Sequence, residues 1–305
     1  MLSRVAENVY WMARYVERAE NLSHLINIST NLLMDLPRGA KVDWNSLLEM
    51  TGSAELFQSL YKEADERSVV RFLLANEKNP SSILSALSAA RENLRTTRDI
   101  IPAEAFENIN NLYHHAKENV SGAIPRRGRY SFLRKIIEGS HLNSGLLANS
   151  MLHDDGYAFL RIGRSLERAD MTTRILDVRP ESLISVADEL VPFQSLQWMS
   201  ILKSLTAYQM YRRDTNRHVQ RREVLKFILA NENFPRSVLY CLQATGGFLE
   251  KLPRCDPAVS AIEHVKSAVF ELDVREMEFD QLRKFLDDLQ IGIADVHSQI
   301  AKTYF

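Results

Sequence analysis

Arg14, Glu17 and Arg18 stand at i, i+3 and i+4, and the same residue types return in the same spacing at Arg164, Glu167 and Arg168. On a helix such positions share one face. Two guanidiniums beside a carboxylate can do one of two things. The carboxylate can serve as a general base while the arginines hold a carboxylate or phosphate of a substrate. Alternatively, the groups neutralise one another as an ion-paired centre between packed helices. The first reading makes Glu17 and Glu167 candidate catalytic residues and Arg14, Arg18, Arg164 and Arg168 candidate binding residues. The second makes all six structural. Neighbouring non-core positions differ between the copies, with Trp11 against Arg161 and Tyr15 against Ser165. A solvated helical ion pair contributes only about 0.2–0.5 kcal/mol and is easily lost. Removing one partner of a buried pair costs about 3–5 kcal/mol. The retained triplets therefore point to two buried or half-buried centres, with each Glu expected to bond an Arg of its own half.

A second set, Arg91, Arg95 and Arg98, is spaced i, i+4, i+7 and would form a helical strip about 10 Å long. Three permanent cations on one face need carboxylate partners or an anion, so these arginines are candidate binding residues for a carboxylate or phosphate. The other copy has Gly246 and Gly247 opposite Arg91 and Glu92 and lacks the cluster. Two basic runs, Arg126, Arg127 and Arg129, then Arg212, Arg213, Arg217, Arg221 and Arg222, could meet phosphates. A net charge of −1 supplies no field to attract a polyanion, so nucleic acid is not expected as a partner.

Other chemistries lack their residues. The chain has no Gly-rich phosphate loop, dinucleotide fingerprint, H-E-x-x-H pair or nucleophile elbow. Cys241 and Cys255 make no disulfide framework and read as reduced thiols. His114 and His115 diverge by about 100° on a helix and cannot easily share an ion. His153, Asp154 and Asp155 read as a helix start. No metal ligands are assigned.

The elements that must position these residues are helices. Val5, Val9, Met12, Val16 and Ala19 recur at helical spacing, as do Phe159, Ile162, Leu166 and Ala169. Glycine is scarce, 11 in 305 residues, and no stretch alternates as a strand does. The duplication extends beyond the triplets. Trp44 and its successors match Trp198 and its own, and 69–83 matches 224–238, in the same order along the chain. The fold class is all-α: two homologous helical-bundle halves from an internal duplication. We divide the chain into 1–125, a linker and connecting helix over 126–153, and 154–305, with the linker centred on 121–130. Asn79 and Pro80 are expected to start one helix, with Asn79 as N-cap and Pro80 at the first helical position. A long amphipathic helix over 277–302 is expected to close the second bundle, or else to form an interface with a partner or a homodimer.

These stretches resemble the bacterial alpha-E family, named for a recurring Glu-Arg motif on a helical domain. The resemblance rests on Glu17-Arg18-Ala19-Glu20, on Glu167-Arg168-Ala169-Asp170, and on the Ala-Arg-Glu-Asn-x-Arg-x-x-Arg-Asp stretch over 90–99. The family usually follows that stretch with a Trp; here Phe106 stands instead. The resemblance implies a helical accessory or substrate-presenting subunit of an amide-ligase system. Its implied partners are a circularly permuted ATP-grasp ligase and a transglutaminase-like protein. ATP and magnesium would belong to the ligase, and no cofactor is expected on this chain. Two other readings stand beside it: a transferase forming amide bonds at the Glu-Arg site, and an anion- or RNA-contacting helical protein. The charged N-terminal residues do not read as a signal peptide, and no apolar run reaches about 18 residues, so a cytoplasmic protein without a membrane span is expected.

Overall fold

Two long helices carry the repeated triplets, α1 (Ser3–Asp35) and α8 (Asp155–Asp177), and they pack against each other. The structure is a computed structural model that describes residues 1–35, 41–178, 184–185, 192–216, 218–274 and 277–305. After α1 come β1 (Lys41–Val42), α2 (Asn45–Met50), α3 (Ala54–Leu60), α4 (Glu66–Ala75), α5 (Ile83–Arg95), α6 (Ala103–Ala123) and α7 (Arg126–Ser150). After α8 come β2 (Ile184–Ser185), α9 (Pro192–Ser204), α10 (Tyr208–Thr215), α11 (Arg221–Ala230), α12 (Val238–Leu249), α13 (Asp256–Phe270) and α14 (Phe279–Tyr304). The fold is all-α. The one exception to the expected absence of strands among the described residues is a two-residue antiparallel pair, Lys41 opposite Ser185 and Val42 opposite Ile184.

α1 touches α5, α7 and α8, while α8 touches α12, α14 and α1. Each central helix is thus covered on several sides. This is why Val9, Tyr10, Met12, Ala13, Val16, Ala19, Leu22 and Ile26 are all buried, a wider face than a single stripe. Val5 lies at the margin, half-buried. The central pair meets backbone to backbone. A Cβ on Gly163 would stand 2.4 Å from the carbonyl oxygen of Tyr10, so only glycine allows this approach.

Helix starts follow local chemistry, with one revision. Asp154 caps α8 by accepting from the Gly156 and Tyr157 amides. Asn79 is not the cap of α5, and Pro80 lies before the helix. The cap is Ser82, whose hydroxyl accepts from the Ser85 amide, and Ser237 does the same for α12 through Tyr240. Asn79 instead orders the turn, accepting from the Ser81 amide and donating to the Phe72 carbonyl. α5 and α12 therefore both start with the Ser of a Pro-x-Ser stretch.

The linker expected over 121–130 is also revised. Only Ile124 and Pro125 separate α6 from α7, and Arg126, Arg127 and Arg129 lie in α7. Arg129 is buried. It donates to Glu66 (2.9 Å), to Thr30 Oγ1 (3.0 Å) and to the Ile124 carbonyl (2.6 Å). Arg126 pairs with the same Glu66. This run fastens α7 to α4 and α1. Of the second run, Arg221 donates to the Met277 carbonyl at 2.8 Å, and Arg217 lies outside the described residues.

α14, Phe279–Tyr304, starts and ends two residues later than the expected 277–302. Its apolar face, Leu282, Leu286, Leu289, Ile293, Val296 and Ile300, is buried within this chain against α8 and α13.

Candidate functional site

The two triplets meet at the α1–α8 crossing, and each Glu is held by arginines of the other helix. Glu167 receives Arg14 Nε at 2.7 Å on Oε2, Arg18 Nε at 2.6 Å on Oε1 and Arg18 Nη2 at 3.1 Å on Oε2. Glu17 receives Arg164 Nε at 3.0 Å on Oε2, Arg168 Nε at 2.8 Å on Oε1 and Arg168 Nη2 at 2.9 Å on Oε2. Burial was expected, and both carboxylates are 1–2% exposed. Pairing within each half was expected too and is not what occurs. The i, i+3, i+4 spacing puts Arg14, Glu17 and Arg18 side by side, but the triplets face each other across the crossing. There, each carboxylate reaches two opposing guanidiniums, one through a single Nε contact and one through the two-point Nε/Nη2 fork.

Burial alone would raise both carboxyl pKa values. Arg168, Arg236 and Arg164 outweigh it at Glu17, and Arg14 and Arg18 at Glu167, holding both groups well below the usual carboxylate range. Such groups stay ionised at neutral pH and are poor proton acceptors. Aromatic rings cover the arginines of α1: the Arg14 guanidinium lies 5.1 Å from the Trp11 ring and that of Arg18 lies 5.5 Å from Tyr15. Arg14 also donates to the buried Tyr10 hydroxyl at 3.1 Å, which in turn bonds His297 Nδ1 of α14 at 2.9 Å.

The two centres differ in one residue that the sequence reading did not single out. Arg236, from the second Pro-x-Ser stretch, is buried. It lies 3.1 Å from Glu17 Oε1 and also pairs with Glu20. The first Pro-x-Ser stretch has Ser81 at the matching position. Beside Glu167, Ser81 lines a cavity of about 180 Å3 together with Arg18, Thr51, Asp170 and Arg174. The signal was present as a Ser-to-Arg difference between matched stretches, but nothing in it said which carboxylates Arg236 would reach.

Arg91, Arg95 and Arg98 do not form the expected strip. α5 ends at Arg95, and Arg98 falls in the turn that follows. Thr97 donates its hydroxyl to the Asn93 carbonyl at 3.1 Å, which helps to end the helix there. Arg91 donates to Asn110 (2.7 Å) and Glu92 (2.9 Å) and lies over Tyr113. Arg95 shares Glu92 at 3.4 Å. Arg98 stacks on Phe106, 4.3 Å from the ring centre, which gives a packing role to the aromatic standing where the resemblance led one to expect Trp. Among the described residues, none of the three lines the cleft of about 690 Å3 between α2, α3, the end of α8 and α14, or the cavity at Ser81.

An all-helical chain whose repeated Glu-Arg pairs form a buried, reciprocal ionic clasp defines a structural class before it defines an activity. The chain belongs to the Alpha-E family, whose model matches residues 1–305 and is described as a predicted alpha-helical domain with a conserved ER motif. Glu17-Arg18 and Glu167-Arg168 are that motif here. Uncharacterized proteins of Mycobacterium bovis (strain ATCC BAA-935 / AF2122/97) and of Mycobacterium tuberculosis (strains CDC 1551 / Oshkosh and ATCC 25618 / H37Rv) are 24% identical over 318 aligned positions. The match covers 95% of this chain but only 35% of each relative, so the chain spans about a third of their length. No solved structure matches. Among the described residues, no helix is long and apolar enough to cross a membrane.

Proposed function

We propose that this chain is a helical accessory or substrate-presenting part of an amide-ligase system, acting beside a catalytic partner in the cytoplasm. The observation that carries the reading is the state of the two motif carboxylates. Each has both oxygens engaged by at least two guanidiniums, is buried, and has its pKa held low. A general base needs a free lone pair and a pKa near the working pH. The clasp lacks both, which favours scaffolding over the transferase reading with Glu17 or Glu167 as base. The length of the mycobacterial relatives supports the same view, since their matching region is joined to further chain. A circularly permuted ATP-grasp ligase carrying ATP and magnesium is the proposed partner, with a transglutaminase-like protein in the same system; both come from the family resemblance.

The two halves are proposed to descend from a duplication. Three relations support this: the matched sequence blocks, the reciprocal clasp, and the repeated order of neighbours, in which α1, α5, α6 and α7 contact one another in the same sequence as α8, α12, α13 and α14. The cavity at Arg18, Ser81 and Arg174 reaches Glu167 of the motif, and a presented substrate would enter there.

The test is co-expression with the ligase encoded in the same cells. Co-elution of the two proteins, with amide formation that needs both, supports the proposal. Turnover of an activated acyl donor by this chain alone, lost in Glu167→Gln, overturns it in favour of the transferase.

A further inference from the structure

Next to the clasp, Glu20 and His24 stand at i and i+4 on α1, and His141 projects from α7 toward them. His141 Nε2 lies 3.1 Å from Glu20 Oε1, and one donor atom from each of the three residues falls within 4.8 Å of the other two. Glu20 is 1% exposed. Its second oxygen, Oε2, and His24 Nε2 are both buried and have no hydrogen-bond partner among the described residues. A buried carboxylate oxygen and a buried imidazole nitrogen without partners are costly, and two such acceptors in one cluster mark a place for a cation.

The matched position in the other copy shows what a cation does there. Asp170 corresponds to Glu20 and Arg174 to His24, each 150 residues on (170 − 20 = 150; 174 − 24 = 150). In that copy Arg174 Nε pairs with Asp170 at 3.0 Å, so the carboxylate is neutralised from i+4. At Glu20 the residue at i+4 is an imidazole. Its Nε2 is buried without a partner and offers a lone pair where Arg174 offers a charge.

We propose that Glu20, His24 and His141 bind a divalent transition-metal ion of the zinc or iron(II) kind. Two imidazoles and one carboxylate are the donor set that such ions take while keeping positions open. Zinc–ligand bonds of about 2.0–2.1 Å at the tetrahedral angle place donors about 3.3 Å apart. The three donor atoms, within 4.8 Å of one another, would draw in to that spacing around an ion. His141 is 55% exposed, which leaves an entry path and a solvent-facing side for a further ligand. The charges that act on the site are Glu17 on α1 and Arg236 ahead of α12. Arg236 engages Glu20 through Oε1 and leaves Oε2 for the ion. The Arg236 guanidinium beside the site favours an anion, such as hydroxide or a substrate carboxylate, at the open position.

This site does not depend on the proposed ligase partnership. The experiment uses the whole chain, stripped with chelator and titrated with Zn2+ and Co2+, with Mg2+ as control. Expected are one saturable equivalent of Zn2+ by calorimetry, visible Co2+ absorption of a low-coordinate nitrogen/oxygen site, and a raised melting temperature. All three signals should be lost in His24→Ala and in His141→Ala. Because His141 is exposed, its variant keeps the fold and isolates the ligand effect. Absence of stoichiometric Zn2+ and Co2+ binding, or binding that survives His141→Ala unchanged, overturns the proposal.

Discussion

Arg18 and Glu167, 149 residues apart in the chain, form a two-point contact in which Nε and Nη2 of one guanidinium meet both carboxylate oxygens, at 2.6 and 3.1 Å. Arg168 and Glu17 form the same contact in reverse, at 2.8 and 2.9 Å. Neither helix can leave the other without exposing two carboxylates to loss of their partners. The clasp therefore does something that pairing within each half would not do. It makes α1 and α8 one unit and sets their register.

The first prediction follows from that. Glu167→Ala leaves Arg14 and Arg18 buried or half-buried without an anion and should cost about 3–5 kcal/mol. A double-mutant cycle of Arg18→Ala with Glu167→Ala should give a coupling energy of about 0.5–3 kcal/mol. Urea unfolding of the three variants measures both quantities, and a coupling near zero would show that the contact contributes nothing.

Acid should dissolve the clasp. Glu17 and Glu167 have folded-state pKa values below the unfolded value of 4.5. Below 4.5 the unfolded state takes up protons that the folded state refuses, so stability falls with pH there. Stability contributed by this pair is fully present above about pH 5 and is lost as pH drops toward the folded values. Unfolding free energy measured from pH 7 to pH 2 should be flat at first and then fall. In Glu17→Gln and Glu167→Gln the wild-type loss below pH 4.5 should be reduced, and an unreduced loss would place the acid sensitivity elsewhere.

Gly163 tests the backbone approach. Alanine there puts a methyl 2.4 Å from the Tyr10 carbonyl oxygen, and a backbone atom cannot swing aside as a side chain would. Gly163→Ala should cost about 1–3 kcal/mol as an overpacking change, despite alanine's better helix propensity. Gly145 has open space around its Cβ position, so Gly145→Ala should be neutral or stabilising in the same thermal melt.

The thiols should separate cleanly. Cys241 is 1% exposed, and burial pushes its pKa up to about 12, whereas Cys255 is only partly buried. At pH 8 iodoacetamide should label Cys255 in the native protein and reach Cys241 only after denaturant is added. Peptide mass spectrometry reads the two sites, and early labelling of Cys241 would show that α12 opens readily.

Much of this architecture could be read from residue spacing. Helical periodicity at Val9, Met12 and Val16 gave the class, and the retained Arg14, Glu17 and Arg18 pointed to burial. The identity of the clasp's partners could not be read, because a Glu flanked by arginines satisfies charge equally well with either triplet. Only the crossing geometry chooses between them. The Asn79 cap failed for a related reason. Asn79 and Ser82 are both good caps three residues apart, and the α5 start depends on where the Phe72 carbonyl needs a donor. Glu20 and His141 lie 121 residues apart with no pattern linking them, so their meeting is a property of helix packing alone.

The arginines near the end of α5 make the last test. As a strip facing open space they would bind carboxylate or phosphate and be stabilised by it. As placed, Arg91 and Arg95 share Glu92, and Arg98 rests on Phe106. Arg95 is 61% exposed, so its pair should contribute no more than about 1 kcal/mol, and Arg95→Ala should leave the melting temperature nearly unchanged. Phe106→Ala should cost more, because it removes ring packing together with a cation–π contact of about 0.5–1 kcal/mol. Phosphate, titrated at constant ionic strength, should give no saturable shift in melting temperature. A saturable shift that disappears in Arg95→Ala would mean that the arginines leave Glu92 for the anion, and would restore this cluster as a binding site.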